Sequence, residues 1–233
     1  APDEENSPKK EELSDEAEGR YALRPDIDKA RLRKPARIRR ERLEQWTGEQ
    51  LRASGQAQSG GKAKAKPKTD SATRLRYLRQ AVQEAAHTLL HRLVLLRMLE
   101  HHGVVKPAVV TGGYNSAAYK EFADYSGPLG HDLTRGMQPL LDTVFAELSL
   151  ELPALFGPIG LTSLFPIPPA TLRDLVTALN DPALDSAWGD DTTLGWVYQY
   201  WNDPDREALD KKIADGGKIE PHEIAQKTQM FTE

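Results

Sequence analysis

The stretch that decides the fold is residues 71–102, SATRLRYLRQAVQEAAHTLLHRLVLLRMLEHH. Its apolar residues recur every three or four positions for about eight turns, which is the spacing of one broad helical face. These residues are Leu75, Leu78, Val82, Ala86, Leu89, Leu93, Leu96 and Leu99. Gly103 follows directly and Pro107 lies shortly beyond, a combination that ends helices. The stretch therefore predicts one long helix that organises a helical domain.

The chain after this helix also has helical patterns. Further helices are predicted over residues 131–150, 168–180, 204–214 and 220–226. An ordered apolar loop is predicted at 153–169 and a buried aromatic segment at 194–201. The sequence shows no alternation of strand and helix patterns, and β-branched runs are few. The predicted fold class is mainly α.

Composition excludes several classes of protein. The 233 residues are 39% hydrophobic and 28% charged, so the chain can bury a core. The absence of cysteine excludes disulfide scaffolds, thiolate zinc sites and cysteine nucleophiles. No run approaches the ~18–20 apolar residues of a membrane helix, and the N-terminus has no signal-peptide pattern. We therefore expect a cytoplasmic protein without membrane contact.

The net charge of −4 conceals three blocks that suggest how the chain is organised. Residues 1–19 carry 2 basic and 8 acidic residues and are predicted to be a disordered acidic tail. Residues 20–79 carry 18 basic and 6 acidic residues, and residues 80–233 carry 11 basic and 21 acidic residues. The basic block is predicted to consist of a helical arm over 20–53 and a flexible linker over 54–70. Residues 71–233 then form the helical domain.

The basic block is a candidate nucleic-acid interface, because phosphate backbones favour dense cations through counterion release. Arginine predominates, and it also makes bidentate phosphate contacts. The candidate residues are Arg31, Arg33, Lys34, Arg37, Arg39, Arg40, Arg42, Lys62, Lys64, Lys66 and Lys68. The alternative is a basic segment that docks on an acidic partner or on the acidic remainder of its own chain.

No catalytic centre is recognisable from the residues themselves. His87 and His91 share a helical face, but Thr88 stands where a zinc protease needs glutamate, so no metal site is predicted. The sequence at 111–113, Thr-Gly-Gly, lacks the lysine and second glycine of a phosphate loop and is interpreted as a turn. For the four large rings at 195–201 we favour core packing over base stacking.

Two segments resemble one enzyme family. Residues 194–201, LGWVYQYW, and residues 224–232, IAQKTQMFT, are similar to the large adenine-specific DNA methyltransferases of phage-defence islands, of the BREX (PglX-like) and DISARM type. Residues 86–100 resemble a helix of that family, with His87 and His91 where an aromatic residue and asparagine are usual. Residues 163–176 give a weaker match. The resemblance covers roughly residues 75–233.

The resemblance implies a parent enzyme that transfers a methyl group from S-adenosylmethionine to adenine N6. It places Phe231 and Thr232 in the motif that approaches the cofactor. The Asn-Pro-Pro-aromatic catalytic motif is not found in the sequence. We therefore expect a non-catalytic N-terminal region that ends where the catalytic domain begins.

The role that we expect for this region is to engage DNA, whose target base must be rotated out of the duplex, or to dock other phage-defence subunits. The alternative is a helical protein-interaction module whose basic arm binds an acidic partner, without methyltransferase activity. Arg92, Arg97 and Glu100 match family positions, and we favour structural ion pairing for them.

Overall fold

The computed structural model describes residues 34–58, 71–158, 161, 164–165 and 167–219. These residues form seven α-helices and no strand, which confirms the predicted mainly α fold. The helices are α1 (Lys34–Gln58), α2 (Ser71–His101), α3 (Ala117–Tyr125), α4 (Met137–Glu151), α5 (Pro153–Phe156), α6 (Pro169–Ala178) and α7 (Thr193–Ala214). Short 3-10 turns lie at Gly113–Asn115, Gly127–His131, Pro182–Leu184 and Ala187–Gly189.

Helix α2 is the long helix that the sequence predicts. It spans 31 residues and ends at His101, one residue before the predicted end. Gly103 follows with a φ of 68°, a left-handed conformation that strains any residue with a Cβ atom. Its N–H donates to the carbonyl of Glu100 at 3.0 Å. The terminating signal in the sequence is therefore confirmed.

Helix α1 extends farther than the basic arm predicted over 20–53. It runs to Gln58, five residues into the segment predicted to be a linker. The added turn lacks proline, and its two glutamines and Ala57 favour helix enough for the helix to continue through Ser54 and Gly55. The predicted acidic tail over 1–19 and the rest of the linker over 59–70 lie outside the described residues, as does the predicted helix over 220–226.

The chain divides into two compact units. One unit comprises Ala1–Ala86 with Gly160–Pro166, and the other comprises His87–Ile159 with Ile167–Glu233. The core of the first unit brings together α1, the first half of α2 and part of the later loop. Its buried residues are Leu43, Leu78, Ala81, Ala85, Leu161, Leu164 and Phe165. These buried contacts hold the first unit together.

The second unit has the larger core, built on the second half of α2 together with α4 and α6. Its most deeply buried side chains are Leu93, Leu96, Val110, Met137, Leu141 and Leu172, each 0% exposed. Burial of a leucine or methionine side chain contributes about 1.5–3 kcal/mol. The apolar face of α2 therefore supports this unit as the sequence predicts.

Several helix boundaries in the second unit differ from the sequence prediction, and the first four residues of the predicted apolar loop form the helix α5. Helix α4 starts at Met137 rather than 131, because the Asp132 carboxylate holds the preceding turn. Its Oδ1 accepts from Thr134 N at 3.0 Å and from Gly136 N at 2.6 Å. Helix α7 runs unbroken through Pro204, so the aromatic segment and the polar helix that follows it are one element.

Candidate functional sites

Helix α1 presents its predicted DNA-binding cations unequally. Lys34, Arg37 and Arg42 are exposed, and Arg39 is partly exposed. Arg40 is only 5% exposed, and its Nε donates to Glu44 Oε1 at 3.0 Å. Its position explains this burial, since residues three apart share a helical face and Leu43 is in the core. The three-residue spacing between Arg40 and Leu43 was the signal in the sequence that could have identified Arg40 as the buried cation.

The exposed face of α1 carries charges of both signs. Its exposed cations are Lys34, Arg37, Arg42 and Arg52. Glu41 and Glu49 are also exposed, so the face keeps an excess of positive charge without being uniformly basic. The remaining predicted DNA-binding residues lie outside the described residues: Arg31, Arg33, Lys62, Lys64, Lys66 and Lys68.

His87 and His91 meet two rings of α7 in the second unit. The ring of His87 stacks on Trp201, with a centroid distance of 5.3 Å and an interplanar angle of 24°. His87 and His91 are 4.1 Å apart, and Tyr198 lies 5.5 Å from His87 and 6.0 Å from His91. His87 and His91 therefore form one aromatic cluster with Tyr198 and Trp201 of α7.

The protonation states of this cluster follow from its contacts. Nδ1 of His91 lies 3.0 Å from the backbone carbonyl of His87 and must donate to it, since a carbonyl only accepts. Burial first, and then the neighbouring His91, lower the pKa of His87 from 6.5 to about 4, so His87 is neutral at pH 7. The Nε2 atoms of both rings are buried without a hydrogen-bond partner.

A metal centre finds no support in this geometry. In the part of the chain that the structure describes, no three histidine, aspartate or glutamate side chains come together in a group able to hold a metal ion. The two histidines face aromatic rings rather than carboxylates, and structural zinc sites need four ligands. The cluster is better explained as packing between α2 and α7.

Arg92, Arg97 and Glu100 have structural contacts, but within the described part of the chain these are not the ion pairs that the sequence suggested. The guanidinium of Arg92 donates through Nε to the carbonyl of Leu155 at 2.8 Å and through Nη2 to the carbonyl of Gly157. Arg92 therefore caps the C-terminal end of α5. The guanidinium of Arg97 lies over the Trp188 ring, 5.1 Å from its centroid, as a cation–π contact.

The carboxylate of Glu100 fixes the segment that follows α2. It is 8% exposed and accepts four hydrogen bonds. Oε1 accepts from the N–H groups of Val109 at 2.7 Å and Val110 at 2.9 Å. Oε2 accepts from the N–H of Thr111 at 2.7 Å and from its hydroxyl at 2.6 Å. Three backbone N–H groups and one hydroxyl, rather than an arginine, stabilise this buried carboxylate.

In the Thr-Gly-Gly segment at 111–113, backbone N–H groups donate hydrogen bonds to side chains of the protein itself. The Thr111 N–H points at Glu100, and the Gly112 N–H donates to Asn180 Oδ1 at 2.8 Å. Asn180 Nδ2 in turn donates to the carbonyl of Val110 at 2.8 Å. These donors are not directed at a phosphate, which agrees with the interpretation as a turn. Sequence reasoning missed Asn180, because its partners lie about seventy residues away along the chain.

The aromatic segment at 194–201 is buried only in part. Tyr198 and Trp201 face the histidines, whereas Trp196 is 36% and Tyr200 is 70% exposed. The prediction of core packing is therefore right for one face of α7 and wrong for the other. Phe231 and Thr232, the residues that the resemblance links to the cofactor, lie outside the described residues.

Comparison with known proteins adds no family. No family model, curated protein or solved structure matches the chain. A search of the described helices for a membrane span found none of sufficient length and apolar character.

Proposed function

We propose that the chain is the non-catalytic N-terminal region of a phage-defence adenine-N6 DNA methyltransferase, and that α1 contributes to DNA engagement. The proposed methyltransferase family rests on the two sequence resemblances at 194–201 and 224–232. The parent enzyme would use S-adenosylmethionine, and other phage-defence subunits would be its partners.

The observation that carries the DNA part is the placement of cations on α1. Arg37 and Arg42 are exposed while the opposite face of the helix packs through Leu43 into the first unit. A packed helix holds its outward cations at fixed spacing, and phosphate contacts release condensed counterions. Arg40 has no part in this role, because its side chain is buried and paired with Glu44.

Salt-dependent binding to duplex DNA tests the role of α1. We expect the chain carrying Arg37→Ala and Arg42→Ala to bind a labelled duplex more weakly than the wild type. Loss of two phosphate contacts reduces the slope of log K against log salt by about 1.8. Fluorescence anisotropy over a series of salt concentrations measures both quantities.

A matched control removes the same charge elsewhere. Lys120 and Lys211 are exposed on α3 and α7, so Lys120→Ala with Lys211→Ala also removes two positive charges. We expect that variant to keep the wild-type slope. Equal losses in the two double variants, or no duplex binding by the wild type, would refute a role for α1.

The methyltransferase part is tested by the gene. We expect the reading frame beyond Glu233 to encode an Asn-Pro-Pro-Tyr or Asn-Pro-Pro-Phe motif. A stop codon directly after Glu233 would instead favour the interaction module.

A further inference from the structure

The outward face of α7 carries a pair of aromatic rings that the fold leaves uncovered. Trp196 and Tyr200 are four residues apart and therefore share a face of the helix. Their ring centroids are 6.2 Å apart and the rings are tilted by 35°. Tyr198 and Trp201 on the same helix pack against the histidines, so exposure is confined to this one pair. Large exposed rings in adjacent positions are typical of recognition surfaces.

The charge around this pair is acidic. Continuing along the helix, Asp203, Glu207 and Asp210 fall on the same face by helical spacing, and Asp190 and Asp191 are exposed just before α7. Residues 190–215 carry 7 acidic and 3 basic residues. Arg206 pairs with Asp203 at 2.6 Å. The excess of acidic over basic residues in this segment makes the local potential negative.

We propose that the outward face of α7 binds a cationic, arginine-rich peptide segment of a partner. A guanidinium stacks on Trp or Tyr faces by cation–π attraction and pairs with carboxylates. The Trp196–Tyr200 pair and Glu207 offer both kinds of contact along one helix face. The phosphate backbone of a nucleic acid would meet like charge here, so this surface is distinct from the α1 face.

The test uses a labelled peptide with the sequence RLRKPARIRRER, which reproduces residues 31–42 and supplies a dense arginine cluster. Binding to the 233-residue chain is measured by fluorescence anisotropy. We expect Tyr200→Ala to weaken binding about five- to tenfold, the effect of one lost cation–π contact. Glu207→Gln should weaken peptide binding less than Tyr200→Ala does. Its effect should be larger at low salt than at high salt, because salt screens the lost charge interaction.

Two matched variants separate this surface from general effects. Tyr125 is 84% exposed at the end of α3, where no described ring stacks beside it, and Glu147 is exposed on α4. Tyr125→Ala and Glu147→Gln should leave the affinity for the peptide unchanged.

Three results would overturn the proposal. The first is equal affinity of the wild type and Tyr200→Ala for the peptide. The second is loss of oligothymidylate binding on Tyr200→Ala, which would make the occupant a single strand. The third is self-association that Tyr200→Ala abolishes without peptide binding, which would make the occupant a second copy of the chain.

Discussion

Glu100 is the residue on which the segment after α2 depends most. Glu100→Gln keeps the shape of the side chain but replaces one acceptor oxygen by a donor. Two of the four donors at Val109, Val110 and Thr111 then lose their partner while they stay buried or partly buried. We expect a loss of about 3 kcal/mol in the free energy of unfolding, measured by urea denaturation.

The control for this change is Glu151→Gln at the exposed end of α4, which we expect to cost under about 0.5 kcal/mol. Hydrogen exchange localises the effect, because either the amides of Val109 and Val110 or the amide of Thr111 should exchange faster in Glu100→Gln, depending on which oxygen is replaced. Equal stability of the two variants would show that the four hydrogen bonds contribute little.

His87 makes the stability of the fold depend on pH. Its pKa is lowered to about 4 in the fold and is about 6.5 in the unfolded chain, so the unfolded state binds more protons between these values. The stability is therefore complete above pH 6.5 and decreases as the pH falls towards 4. Since the ring is only partly buried, we expect the loss to be about 1–2 kcal/mol, less than the full shift implies.

Denaturation at pH 7 and pH 5 measures this contribution. His87→Phe keeps a ring against Trp201 and removes the titrating group, so its stability should change less between the two pH values. His102→Gln, at the exposed position directly after α2, leaves the cluster intact and serves as the control. An identical pH dependence in the wild type and His87→Phe would contradict the assignment.

At the scale of elements, α7 contains the least favourable helical residue of the described structure. Pro204 lies within the helix and removes one backbone hydrogen bond. Pro204→Ala restores that donor and should raise the free energy of unfolding by about 1–2 kcal/mol, part of the ~3 kcal/mol cost of interior proline.

Pro169 provides the comparison, because it is the first residue of α6, where the missing N–H has no intrahelical partner. Pro169→Ala should therefore be neutral or slightly destabilising in the same urea titration. The prediction for α7 would be wrong if both substitutions changed stability in the same direction.

Across the whole molecule, local patterns predicted the helices and long-range contacts determined the rest. The period of Leu89, Leu93 and Leu96 was sufficient for α2, because a buried helix needs no more than one apolar face. The role of Asn180 was not predictable, since its amide meets Gly112 through folding rather than through nearby sequence.

The candidate sites show the same limit. Composition identified the basic arm, but the packing of α1 decides which cations face outward, and Arg40 does not. Likewise the aromatic content of 194–201 predicted buried area, while the partition into a packed and an exposed face depends on where α2 places His87.

The stacking of His87 on Trp201 also gives the protein an optical reporter. A protonated imidazole quenches the fluorescence of an indole in contact with it, whereas a neutral one does so weakly. The emission of Trp201 should therefore dim as His87 titrates, against the steadier background of Trp46, Trp188 and Trp196. Subtracting the spectrum of His87→Phe isolates this signal, so the protonation of a single buried ring can be followed without a label.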